Sequence, residues 1–129
     1  MNADEIRNMS AGREMDALIA EKVMGEAKPI YSHDHYNVLE AKYSEGRWWY
    51  CLPEYLQGDV CQWIPRPFST DIAAAWEVVE KLHEKWEIVD VWCEHEGWFC
   101  EVCDNGDGNW SDAPTAPHAI SRLALLVTT

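Results

Sequence analysis

The sequence predicts an α+β domain: three helices packed on an antiparallel sheet built from two β-hairpins, in the order helix, hairpin, helix, hairpin, helix. Two observations predict it. Three segments, around 10–25, 68–86 and 115–127, carry apolar residues at helical spacing. Between them lie "YSEGRWW" and "EHEGWFC", each a Glu-Gly pair flanked by residues that favour strands.

The first helix is expected in "AGREMDALIAEKVMG", after Ser10, with Met15, Leu18, Ile19 and Val23 on one face and Gly25 as a left-handed stop. The second is "FSTDIAAAWEVVEKLHEKW", with Ser69 or Thr70 as cap and Asp71 in the first turn. Its expected buried face is Ile72, Ala75, Trp76, Val79, Leu82 and Trp86. The third is "TAPHAISRLALLV", capped by Thr115, with Pro117 early and Ile120, Leu123, Ala124 and Val127 together.

In the first hairpin, a turn at Glu45-Gly46 pairs Ser44 with Arg47, Tyr43 with Trp48, Lys42 with Trp49, Ala41 with Tyr50 and Leu39 with Leu52. One face then collects Leu39, Ala41, Tyr43, Trp48, Tyr50 and Leu52. The other shows Glu40, Lys42, Ser44, Arg47, Trp49 and Cys51. In the second hairpin, a turn at Glu96-Gly97 sets His95 opposite Trp98, Cys93 opposite Cys100 and Val91 opposite Val102. Asp90, Trp92, Glu94, Phe99, Glu101 and Cys103 point the other way. Residues 53–68, with Pro53, Gly58, Pro65 and Pro67, are expected to loop with at most one short strand near "VCQWI"; "DNGDGNWSDAPTAP" is expected to be a second loop.

At 129 residues the chain is one domain, 1–129, and folding at this size buries about two-thirds of the extended-chain surface. Its 47% hydrophobic content suffices for a globular core. Ten basic residues against twenty-three acidic ones, a formal net charge of −13, exclude a general nucleic-acid binder, which needs a basic stripe to displace counterions. The same charge suits a protein partner with a basic face, or a small ligand in a locally basic pocket. With no apolar leader or membrane-length run, the protein is expected to be soluble, unprocessed and cytoplasmic, its five cysteines reduced thiols.

Three blocks, "GREMDALIAEKVMG" (12–25), "FSTDIAAAWEVVEKL" (68–82) and "APTAPHAISRLALL" (113–126), together resemble the phage ABA-sandwich domain family of small tailed-phage and prophage proteins. The resemblance covers about a third of the chain. It implies a phage source, hence the host cytoplasm during infection, and a layered α/β fold, but no reaction. Residues 26–67 are longer and richer in aromatics than the family's usual connection and are read as an insertion.

Metal binding is weighed on Cys93, His95, Cys100 and Cys103 together with His33-Asp34-His35. In a strand, residues three apart face opposite sides, so Cys100 and Cys103 do not share one zinc; no metal or other cofactor is expected. No G-x-S-x-G, HExxH or phosphate-cradling glycine loop is present, and "DNGDGN" lacks the glutamate and spacing of an EF-hand, so no enzyme is expected. The strongest candidate is the second face of the first hairpin. Lys42 opposite Trp49, with Arg47 alongside and Trp63 and Arg66 following, gathers cations among indoles that can stack on a base and pair with a phosphate. Ser69 and Thr70 are second-rank contacts at a helix N-terminus, where Asp71 already occupies the positive end of the dipole.

The function expected from these residues is non-catalytic: binding and sequestration of a small nucleotide-derived ligand, as a counter-defence sponge would hold a host immune signal. An acidic protein–protein inhibitor or DNA mimic acting on a host defence enzyme is the alternative, and a small hydrolase the second alternative. Trp92 and Phe99 on the acidic face of the second hairpin further suggest a homo-oligomer.

Overall fold

The computed structural model describes residues 1–25, 42–44, 47–51, 61–62 and 65–128. Helix α1 spans Ala3–Asn8, opened by the Asn2 side chain, which accepts from the Glu5 amide at 2.8 Å. Helix α2, Arg13–Leu18, runs on into a π-helical turn, Ile19–Val23, and Gly25 then takes a left-handed φ of 72°. The expected first helix is therefore present with Met15, Ile19 and Val23 buried. Its N-cap is Gly12 rather than Ser10, because α1 occupies the residues before it.

Helix α3 spans Ile72–His83. Its cap is Asp71, whose carboxylate accepts from the Ala74 amide at 2.9 Å; Ser69 and Thr70 sit in the preceding turn and do not cap. The buried face is Ala74, Ala75, Val78, Val79 and Leu82. Ile72 and Trp76, expected inside, are 53% and 51% exposed. The reason is geometric: the buried stripe is centred on Ala75, Val78, Val79 and Leu82, and Ile72 and Trp76 fall on its flank. Helix α4, Ala116–Thr128, starts as expected, with Thr115 Oγ1 accepting from the His118 amide at 3.3 Å. It packs against α1, α2, the π turn, α3 and the second sheet, and Ile120, Leu123, Ala124 and Leu125 are fully buried.

Among the described residues the strands form two three-stranded antiparallel sheets rather than one. In the first, β1 (Lys42–Ser44) pairs with β2 (Arg47–Cys51) in the expected register, with Lys42 opposite Trp49, Tyr43 opposite Trp48 and Ser44 opposite Arg47; the expected turn at Glu45-Gly46 lies outside the described residues. The short strand expected near "VCQWI" is β3, Cys61–Gln62, paired with β2. The expected pairings of Ala41 with Tyr50 and Leu39 with Leu52 lie outside the described residues.

The second sheet is β4 (Ile88–Glu94), β5 (Gly97–Asp104) and β6 (Asp107–Ala113), in that order. Its first turn is at His95-Glu96, so Glu94 pairs with Gly97, Cys93 with Trp98, Val91 with Cys100 and Val89 with Val102. This corrects the expected pairing of Cys93 with Cys100. The pairing slips by two residues relative to the Glu96-Gly97 turn, and because side chains alternate with period two, each keeps its predicted face. Strand β6 replaces the expected loop. It is joined to β5 through Asn105 and Gly106, with φ of 52° and 90°, the two positive dihedrals of a type I′ hairpin turn.

One face of this sheet, with Val89, Val91, Cys100, Val102, Ser111 and Ala113, lies against the helices. Cys100 and Val102 are fully buried in a core shared with Ile6, Met15, Ile19, Phe68, Val78 and Ile120. The opposite face is not covered by the helices.

Candidate functional site

Three of the positions expected to form a ligand site, Lys42, Arg47 and Trp49, lie on β1 and β2. Lys42 stands opposite Trp49, and Ser44 opposite Arg47. Arg47 and Trp49 are two apart on β2, so alternation places all four positions on one face of the hairpin. Trp63 lies outside the described residues.

The remaining sequence-derived positions are tied into the fold. Arg66 pairs with Glu77 of α3, and its guanidinium lies 4.9 Å from the ring centre of Phe68. Ser69 is fully buried. Its hydroxyl donates to Asp16 Oδ1 at 2.6 Å and accepts from the Gly12 amide at 2.9 Å, while its own amide donates to the same Asp16 oxygen at 2.7 Å. These bonds bolt the start of α2 to the turn before α3. Thr70 is exposed, its amide bonded to the Pro67 carbonyl. Burial pushes the Asp16 carboxyl above its ordinary range, against the lowering effect of the two Ser69 donors.

A second polar cluster joins α1 to α4. Arg122 donates from Nη1 to the Asp112 carbonyl and from Nη2 to the Met9 carbonyl at 3.2 Å. His118 Nε2 lies 3.0 Å from both the Met9 carbonyl oxygen and Arg122 Nη2. Protonated, Nε2 donates to Met9; unprotonated, it accepts from Arg122. A second ring proton is unfavourable, and the His118 pKa is lowered, chiefly by burial and further by Arg122, against the Met9 bond. Beside this cluster is a pocket of about 210 Å³ lined by Arg7, Trp110, Ser111, Asp112 and Arg122. It is narrow, and its inner cation is already engaged with backbone carbonyls.

The uncovered face of β4–β5–β6 is the largest feature that sequence reading had only in part. Trp92 stacks on Phe99, with centroids 5.5 Å apart and planes at 11°, and Phe99 meets Trp110 at 6.1 Å. Trp92 and Trp110 are 36% and 59% exposed. Trp92 and Phe99 were legible from alternation. Trp110 was missed with β6, although Asn105-Gly106 is the strongest short hairpin signal a sequence offers.

Among the described residues, no group of three or more His, Cys, Asp or Glu side chains is placed to hold a metal, and no helix is long and apolar enough to cross a membrane. Cys93, Cys100 and Cys103 are free thiols.

No curated protein matches the chain. A crystal structure of a phage protein from Bacillus cereus is similar, with a TM-score of 0.56 and 26% sequence identity over 92% of this chain and 93% of that one. The phage ABA sandwich domain profile matches residues 17–125, which takes in α3, the second sheet, most of α4, the whole of block 68–82 and most of blocks 12–25 and 113–126. With most of the sequence matched, the chain belongs to the phage ABA sandwich domain family.

Proposed function

We propose that this phage-family protein binds a small nucleotide-derived ligand in the host cytoplasm and holds it without altering it, so that a host immune signal is sequestered. The observation that carries the reading is the register of the first hairpin, which places Lys42 opposite Trp49 and Arg47 on the same face. An indole gives a stacking platform for a base. A lysine and an arginine beside it supply charge-assisted hydrogen bonds to phosphate. The net charge of −13 opposes binding of a long polyanion, whereas a compact ligand meets only the local cations. Arg66 and Ser69 are engaged with Glu77 and Asp16, so the reading rests on Lys42, Arg47 and Trp49.

The test is incubation with a panel of cyclic and ADP-ribose-derived nucleotides, separation of unbound compound, and release by heating. Recovery of unchanged compound supports sequestration. A cleaved product would make the protein a hydrolase, and no retention across the panel would favour the acidic protein-inhibitor reading.

A further inference from the structure

We infer that the uncovered face of β4–β5–β6 is a docking surface for an arginine-bearing segment of a partner protein, a second site independent of the ligand reading above. The register places Ile88, Asp90, Trp92 and Glu94 of β4 on this face, with Phe99, Glu101 and Cys103 of β5 and Trp110 and Asp112 of β6. The aromatic rings form a continuous strip across all three strands. A monomer gains nothing from exposing such a strip, and contiguous exposed aromatics mark interaction surfaces.

The charges say what covers it. Asp90 is directly opposite Glu101, and like charges at facing positions destabilise a sheet. Among the described residues, none of the strand positions on this face is a lysine or arginine. The ion pairs among the described residues, Arg66 with Glu77 and Lys81 with Glu84, are elsewhere. At the β6 edge, Arg7 and Arg122 share a pocket with Trp110 and Asp112, a pocket that Asp90, Glu94 and Glu101 do not line. A face that clusters carboxylates beside partly exposed indole and phenyl rings fits a guanidinium, which stacks on a ring with its flat side and pairs with a carboxylate through its edge. A second copy of this chain is the poorer occupant, because it would bring Asp90, Glu94 and Glu101 against their own counterparts in a desolvated contact. A nucleotide or nucleic acid would be repelled by the same carboxylates.

The probe is a fluorescein-labelled peptide of alternating arginine and leucine, followed by fluorescence anisotropy, with a lysine–leucine peptide for comparison. Trp92→Ala combined with Trp110→Ala, and separately Asp90→Asn combined with Glu101→Gln, should each weaken the arginine peptide by about fivefold or more. Trp76→Ala, an exposed indole on α3, and Asp4→Asn with Glu5→Gln, exposed carboxylates on α1, should change it less than about twofold. The lysine peptide should bind more weakly than the arginine one. Asp90→Asn with Glu101→Gln should also raise the melting temperature, since it removes a facing like-charge pair. Losing affinity while gaining stability separates a docking surface from a structural one. Equal losses in the control variants would reduce the binding to bulk charge and overturn the proposal. Light scattering that shows a dimer broken by the Trp92 and Trp110 changes would overturn it in favour of self-association.

Discussion

Asp16 Oδ1 accepts from both donors of Ser69, the hydroxyl at 2.6 Å and the amide at 2.7 Å, across 53 positions of sequence. The pair fixes α2 against the turn that leads into α3, and it sets the first prediction. Asp16→Ala leaves a buried amide and hydroxyl without this acceptor and should cost about 1–3 kcal/mol in urea unfolding. Asp16→Asn keeps an acceptor oxygen and removes the charge. The folded pKa of Asp16 is raised, so its favourable contribution is complete below the unfolded value, 3.8, and is lost as pH rises through the folded value. Asp16→Asn should therefore gain on the wild type as pH rises from acid towards neutral; the opposite trend would show that Ser69 holds the ionised form.

His118 acts with the opposite sign. Its folded pKa is lowered, so the contribution is present above the unfolded value, 6.5, and is lost as pH falls through the folded value. The stability advantage of the wild type over His118→Gln should shrink as pH is lowered below about 6.5. Denaturant titrations of both proteins at stepped pH give the difference directly, and an advantage that grows in acid would mean that the protonated ring gains a partner.

The thiols of the second sheet should differ in reactivity. Cys93 is exposed, whereas Cys100 is fully buried. Burial, with the charges of Asp90 and Glu101, pushes its thiol up to about 12, against one backbone hydrogen bond. Iodoacetamide at mildly alkaline pH should alkylate Cys93 in the native protein and Cys100 only after unfolding. Peptide mass mapping reads this out, and comparable native labelling of the two would contradict the packing of β5 on the helices.

For the proposed ligand site, Trp49→Ala should remove stacking worth about 1–3 kcal/mol, a loss of about five- to hundredfold in affinity, with little change in melting temperature. Lys42→Ala and Arg47→Ala should weaken binding further in proportion to ligand phosphate. Calorimetric titration with whichever nucleotide the panel retains is the measurement. Unchanged affinity in all three variants would place the ligand elsewhere.

Arg122→Ala removes the donors to Met9 and Asp112 and should cost about 1.5–3 kcal/mol, the range for hydrogen bonds to charged groups. Because α1 is held to α4 through the Met9 carbonyl, amide hydrogen exchange should rise first in α1. Exchange that rises uniformly would mean that the clamp stabilises the domain as a whole.

Local rules determined much of this protein from sequence alone. Apolar spacing located α2, α3 and α4, and the β1–β2 register is the one expected from the sequence, because assuming a two-residue turn leaves a hairpin no freedom in pairing. Period-two alternation assigned the faces of β4 and β5 correctly even though the turn lay one residue earlier than expected, since a slip of two preserves sidedness. What the tertiary structure decided is what covers each face. Strand β6 presents Asn109, Ser111 and Ala113 on the side facing the helices, small or polar residues that fit beside α4 but give no hydrophobic period to read. Ile72 and Trp76 carry the helical period of α3 yet remain outside, because the stripe that meets the core is centred on Ala75, Val78, Val79 and Leu82 and leaves them on its flank. The Asp16–Ser69 and Arg122–His118–Met9 contacts join residues 53 and more than a hundred positions apart. Such pairings follow from the packed arrangement of helices, and no local spacing encodes them.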